Sequence, residues 1–419
     1  MAINLSRELA VRWNHVENPE KAVPLLRQAG VTVVVPSKAD EKFTGACKQA
    51  GLRVLLPGEI HSTSLAESEK ADPKATVVLK DGIWPGVRKD PNQAGRGDET
   101  ASASRDPWLD ANGFWVGVAR ALHPSRYAVL GYSSPGPSEM VPFDTHEMAL
   151  IEARTSGGNC LIDINDRFSR ALAAGDAKAL AAWRDLGSTA RWLGQHANLF
   201  GQPTLPAITV LVDHGDATAE LVNLMYRRNA SPALADASNP PPPHPDRLVV
   251  VGADLVNPTA ETRAKLLDHA RAGASVILTG AADPGWKTIR AQEDRTFYQA
   301  GKGQVVLYKE AIADPSEFAL DVIDILTHKN RAVRMWNAST VIPLVTSAPR
   351  GSSAKAILSA VNYGEPIEDE IQVRVHGDYR TATLLRPEGA STPLKTARRG
   401  PTTEVFVSGM RRLAVVLFA

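Results

Sequence analysis

The chain has 419 residues, too many for one ordinary domain, and with 43% hydrophobic and 22% charged residues it is neither disordered, collagenous nor a disulfide scaffold. Its 47 Lys+Arg against 46 Asp+Glu leave a net charge of +1, so no basic excess is available to hold a nucleic-acid backbone.

In chain order, Leu9–Trp13 reads as a strand, and Pro19–Ala29 as a helix with Ala22, Val23, Leu25 and Leu26 on one face, stopped by Gly30. Val31–Pro36 is a buried strand, Lys42–Ala50 a helix stopped by Gly51, and Leu52–Leu56 the next strand. The repeated phrase helix–Ala–Gly–strand is the mark of βα units. Thr76–Leu79 reads as a fourth strand, 108–122 as helical, Tyr127–Tyr132 as a strand and 147–155 as a helix. Strand Asn159–Ile164 and a long helix over 176–196 close this first region, 1–202. Uninterrupted apolar strands joined by helices predict a parallel sheet buried on both faces. A (β/α) barrel of the TIM type, full or reduced, is expected, with an open doubly wound sheet as the alternative.

Region 203–330 continues with strands at 207–212, 247–251, 275–279 and 304–308, and helices through Tyr226 and over 259–271 and 315–326, a flavodoxin-like α/β pattern. Region 331–419 changes to period-two runs (356–361, 371–375, 381–385, 404–407, 413–418) separated by turn residues, which predicts a small antiparallel β-sandwich.

This series of domains resembles the family-42 β-galactosidases and their relatives among the retaining glycoside hydrolases. Locally the resemblance rests on Leu172–Asp176 with Trp183 and Arg191, on Gly301–Val306, and on Val361–Gly364 with Leu413–Phe418. It implies a carbohydrate substrate, two catalytic carboxylates, no metal or organic cofactor, and a middle domain of the glutamine-amidotransferase-like trimerisation type, hence a homo-oligomer, a trimer by analogy. The chain departs from that pattern in two places. No Asn-Glu pair ends a fourth strand, and no Glu ends a seventh, because Tyr127–Tyr132 runs into Ser133–Pro137. Either the carboxylates have moved or the barrel is a sugar-binding or assembly module without catalysis. Residues 203–330 contain no cysteine, which excludes amidotransfer. His214 and Asp216 follow the first strand of that region, and a turn with Asp216 as helix cap is the reading favoured there.

Barrel enzymes place their chemistry where strands end. Those positions nominate Glu59, Asp81, Asp110 and Glu139 as catalytic carboxylates, and Arg12, Trp13, Asn14, Trp84, Trp108 and Asn112 as substrate-binding residues. Four of the eight tryptophans fall before residue 120, more than core packing needs, and an indole stacks on a sugar while keeping an N–H for a hydroxyl. Asp110 reads equally well as an acid at a helix start. Asp163, inside an apolar strand, reads first as structural, with Arg12 a candidate partner.

Cys47 and Cys160 are too few for a thiolate zinc site and allow at most one disulfide. The ten histidines lack ligand spacing, and His61, His123 and His146 read as surface or capping residues. No apolar run approaches the roughly 20 residues of a membrane helix. The first residues lack a signal peptide's basic and apolar segments, which fits a cytoplasmic protein or a secreted one whose signal was replaced.

Overall fold

The computed structural model describes residues 7–14, 16, 18–70, 76–88, 107–132, 140–256, 258–283, 285–326 and 330–419. The chain divides into two compact units. The first holds residues 1–116, 124–201 and 387–389, and the second holds 117–123, 202–386 and 390–419.

The first unit is built on a curled, all-parallel sheet of seven strands: β1 (Ala10–Trp13), β2 (Val33–Pro36), β3 (Arg53–Val54), β4 (Ile60–Thr63), β5 (Thr76–Gly82), β8 (Val129–Tyr132) and β9 (Asn159–Ile164). Their spatial order is β3-β2-β1-β9-β8-β5-β4. Read round a circle, this follows the chain, with β9 back beside β1. That is barrel order, open at one seam between β3 and β4, where no ladder joins the strands. Helices α1 (Pro19–Ala29), α2 (Glu41–Gln49), α3 (Gly113–Leu122) and α4 (Thr145–Thr155) lie between strands, and α5 (Asp166–Ala174) and α6 (Ala177–Gln195) follow the last. A two-stranded ribbon pairs β6 (Gly86–Val87) with β7 (Leu109–Asp110).

Alternation along the strands sorts the side chains. Ala10, Val33, Val35, Leu55, Val78, Val129 and Leu161 form one buried cluster contributed by strands all round the sheet, the apolar floor of the barrel interior. The opposite parity packs outward, as with Trp13, whose ring meets Trp183 of α6 edge-on at 6.2 Å. Gly82 is forced by a close approach: a Cβ there would lie 2.6 Å from the Gly131 carbonyl oxygen.

Two expectations need correcting. Strand β4 was missed, because Ile60-His-Ser-Thr63 is short and exposes His61 and Ser62, so no apolar run announces it. Thr76–Gly82 is therefore the fifth strand, Val129–Tyr132 the sixth and Asn159–Ile164 the seventh. The helix expected from 108 begins at Gly113, because Leu109–Asp110 pairs with Val87 and Gly86 instead.

In the second unit, β10 (Ile208–Val212), β11 (Ala233–Asp236), β12 (Val249–Val251), β13 (Ser275–Thr279) and β16 (Gly303–Tyr308) pair in parallel in the order β11-β10-β12-β13-β16. This is the flavodoxin-like 2-1-3-4-5 arrangement. Antiparallel β15 (Arg295–Ala300) and β14 (Lys287–Ala291) extend the edge. Helices α7 (Asp216–Arg227), α8 (Ala260–Ala272) and α9 (Pro315–Leu326) complete this part. Asp216 lies in the first turn of α7 and not at its cap, which is Gly215.

The remaining strands make two antiparallel sheets. One is ordered β17-β20-β24-β23, with β17 Val333–Trp336, β20 Ile371–His376, β24 Thr402–Val407 and β23 Ala397–Arg399. The other is β18-β19-β25-β21-β22, with β18 Val341–Ser347, β19 Ala356–Asn362, β25 Leu413–Phe418, β21 Ala382–Leu385 and β22 Thr392–Leu394. Val333, Ile371, Val373, Val375, Val405 and Val407 from the first sheet share a buried core with Val345, Leu358, Val416 and Phe418 from the second.

Candidate functional site

Above the apolar floor, the barrel interior turns polar at the C-terminal ends of the strands. Arg12 shares the parity of Ala10, and Asp163 that of Leu161, and the two are register partners on adjacent strands. The Asp163 carboxylate is 1% exposed; one oxygen lies 3.6 Å from Arg12 Nη1, and the other accepts a hydrogen bond from Asn14 Nδ2 at 3.1 Å. The Arg12 side chain is 33% exposed, so the buried carboxylate sits beneath a cation that reaches solvent. The sequence had named this partner for Asp163, but only the register places the pair at the mouth.

On the outward face of the sheet, where alternation places Tyr132, Trp84, half-buried, stacks on Tyr132 at 4.8 Å and meets His146 at 4.8 Å. His146 continues to Phe168, and Phe168 to Trp183. The reading of His146 as a surface residue is overturned: it is 1% exposed. Helix α4, on which it sits, is buried along its whole length. Its ring nitrogens face two carbonyl oxygens, Nδ1 to Phe143 at 3.0 Å and Nε2 to Asp163 at 3.1 Å. His146 thereby fixes the backbone that carries the Asp163 carboxylate. Burial lowers its pKa to about 4, against the carbonyls, which favour the charged ring.

That shift has a consequence for stability. The unfolded chain takes up a proton near pH 6.5 and the folded one near pH 4, so the His146 contribution is complete above pH 6.5 and is lost as the pH falls toward 4. Urea denaturation at pH 7 and 4.5 should show the wild type losing roughly 2.5 kcal/mol more than His146→Gln over that interval. Equal losses in the two proteins would show that His146 is not the responsible group.

Trp84 is held from below by a buried network. Asn112, fully buried, accepts from the Ile83 amide at 2.8 Å and donates through Nδ2 to the Ile83 carbonyl at 2.8 Å and to Glu152 Oε1 at 2.6 Å. Its own amide donates to Glu152 Oε2 at 2.8 Å, and Tyr132 Oη donates to Glu152 Oε1 at 2.9 Å. Glu152 is 1% exposed. Asn112, nominated for substrate, is thus spent on positioning the segment that carries Trp84. Glu152, His146 and Tyr132 were absent from the nominations. The available signal was the sequence Thr145–Thr155, which has no continuous polar stripe and yet contains charges.

The other nominees are distributed as follows. Trp13 is 1% exposed and packs outward on Trp183. Asp110 is held by Arg88, with Nη2 2.5 Å from one oxygen and Nε 3.2 Å from the other, and the same guanidinium lies 5.4 Å from the Trp108 ring. Glu59 is exposed in a short 3₁₀ turn immediately before β4 and accepts from the Leu56 amide at 2.7 Å. Asp81 lies on β5 next to Gly82, with its side chain outside the described set, and Glu139 lies outside the described residues. The structure therefore brings together Arg12, Asn14 and Asp163, and Asp110 with Trp108, and sets Trp84 apart from them in the outward aromatic cluster.

Among the described residues, no group of three or more His, Cys, Asp or Glu side chains could hold a metal. No described helix is long and apolar enough to cross a membrane. Cys47 and Cys160 are buried free thiols, and burial pushes Cys47 up to about 11 and raises Cys160 as well.

No known family's sequence profile matches the chain, and neither does any curated protein. Solved structures do match. The β-galactosidase of Bacillus circulans sp. alkalophilus aligns over 97% of this chain and 98% of its own at 9% identity, with a TM-score of 0.54. A catalytic mutant of the family-42 β-galactosidase Gan42B from G. stearothermophilus aligns over 90% of this chain and 66% of its own at 10% identity, with a TM-score of 0.51. The fold is similar to that of the family-42 β-galactosidases. At this identity the likeness concerns backbone architecture, and the chemistry has to be argued from the chain's own residues.

Proposed function

We propose that the protein is a glycoside hydrolase that binds carbohydrate at the C-terminal mouth of the barrel, with Asp163 as a catalytic carboxylate. The observation that carries this reading is the Arg12–Asp163–Asn14 constellation at the mouth. A carboxylate among polar donors supplies the negative charge that an oxocarbenium-like transition state needs. Hydrolysis needs a second carboxyl group. Asp81 stands two strands away in the order β9-β8-β5, on the order of 10 Å by strand spacing. We assign Asp81 the role of acid.

A second reading, sugar binding without hydrolysis, is favoured by one observation. Of the four carboxylates nominated from the sequence, the two with described side chains are occupied elsewhere, Asp110 by Arg88 and Glu59 by the Leu56 amide. A panel of aryl glycosides and oligosaccharides, assayed beside Asp163→Asn and Asp81→Asn and accompanied by calorimetry, separates the two. Hydrolysis abolished by both substitutions supports the enzyme. Binding without turnover supports the second reading. Neither binding nor turnover would defeat both.

A further inference from the structure

The outer face of the sheet β17-β20-β24-β23 carries an arrangement that the barrel chemistry does not use. Val333, Ile371, Val373, Val375, Val405 and Val407 point into the sandwich core. By alternation Arg334, Trp336, Gln372, Arg374, Glu404 and Phe406 point out. Register sets Arg334 directly opposite Arg374, and Arg374 opposite Glu404, while Trp336, Gln372 and Phe406 form the neighbouring row. Like charges directly opposite one another disfavour a sheet, so the Arg334–Arg374 juxtaposition leaves positive charge on this face that Glu404 alone does not balance.

Glu404 is 1% exposed and organises the face. Its Oε2 accepts from Arg374 Nε at 2.7 Å and from Gln372 Nε2 at 2.6 Å, and its Oε1 accepts from Arg399 Nε at 2.9 Å. Burial alone would raise this carboxyl, but the hydrogen bonds override it and bring it down to about 2. Both arginines bond Glu404 through Nε, and among the described residues their Nη groups make no hydrogen bond. Arg334 has no such partner there at all. Its guanidinium lies 4.7 Å from the Trp336 ring, and that of Arg374 lies 5.0 Å from the same ring. Arg399 and Phe406 are 56% and 44% exposed. The face therefore sets three guanidiniums against one carboxylate and fixes their orientation before any ligand arrives.

We propose that this face binds an anionic oligosaccharide, whose uronate or sulfate groups take the Nη donors of Arg334, Arg374 and Arg399 while its rings lie against Trp336 and Phe406. Forked guanidinium donors match planar carboxylates and sulfates better than a point charge does. The two aromatic side chains are two strand spacings apart, about 10 Å, with the Gln372 amide between them. That row of apolar rings and polar edge suits sugar rings, and an acidic peptide would leave it unused. The proposal rests on reading the protein as carbohydrate-active.

Calorimetry on the full chain with oligogalacturonate, sulfated galactan oligosaccharide, neutral galactan oligosaccharide and polyglutamate tests it. One or both anionic sugars should bind, and which one does identifies the acidic group. Arg334→Ala and Arg399→Ala should each weaken that binding about tenfold or more, as should added salt, while Asp163→Asn leaves it unchanged. Arg334→Lys and Arg399→Lys, which keep the charge and lose the fork, should fall between. The proposal is overturned if no anionic sugar binds, if polyglutamate binds as tightly, or if Arg334→Ala and Arg399→Ala leave anionic-sugar binding as it is in the wild type. Retained binding by a protein that hydrolyses nothing would place the failure in the barrel and not in this face.

Discussion

Replacing Asp163 with asparagine is expected to reduce glycoside hydrolysis by roughly a thousandfold or more while leaving the fold intact. Asparagine keeps the shape and can still accept from Asn14, but it cannot supply negative charge to a developing oxocarbenium centre. The stability cost should be small, about 1 kcal/mol, because Arg12 is 33% exposed and water can solvate it once its partner is neutral. Asp163→Ala should cost more, since it leaves a cavity as well as an unpaired cation. The informative result is a fall in kcat with sugar affinity changed only severalfold, together with a denaturation midpoint lowered by no more than a cost of about 1 kcal/mol implies. Full activity in Asp163→Asn would remove Asp163 from the mechanism and leave the ion pair with Arg12 as a structural feature of the mouth.

Asn112→Ala should destabilise the first unit by about 3 kcal/mol. The substitution deletes the side-chain bonds to both polar groups of Ile83 and one of the two bonds to Glu152. Ile83 is 44% exposed, so its amide and carbonyl can turn to water. Glu152 is 1% exposed and cannot, and a buried carboxylate that loses a donor carries most of the cost. Release of Ile83 should also free Trp84 from its stack on Tyr132, which a change in tryptophan fluorescence would report. Urea titration would read this as a lower midpoint at constant m-value. A loss below about 1 kcal/mol would mean that water replaces the Asn112 side chain and satisfies Glu152.

These two residues show where local pattern stops being informative. Asp163 stands in the apolar run Asn159–Ile164, and its type alone predicted a partner. Its position at the mouth depends on β9 returning to lie beside β1, a contact between residues some 150 apart in the chain. Asn112 looked like a loop residue beside a tryptophan, which suits a sugar contact. The side chain is instead consumed by Glu152, which lies on a helix 40 residues further on. His146 was misread for a related reason. A polar residue at a helix start is ordinarily a cap, and only packing on both sides of α4 makes this one a buried group with two carbonyl neighbours.

By itself the sequence determined the alternation of strands and helices in the first region, the flavodoxin-like series after it, and the antiparallel strands of the last 89 or so residues. These follow from periodicity and from punctuation such as Gly30 and Gly51, which take left-handed conformations after their helices. It also determined the pairing need of a buried carboxylate at Asp163. Tertiary structure alone decided that a short polar segment, Ile60–Thr63, is a strand, because its ladder to β5 supplies hydrogen bonds that its side chains do not advertise. It alone decided which polar residues converge at the mouth and which are spent beneath it. The reason is physical: burial and register belong to surfaces assembled from distant segments, and a residue's chemistry is fixed by the neighbours that assembly brings to it.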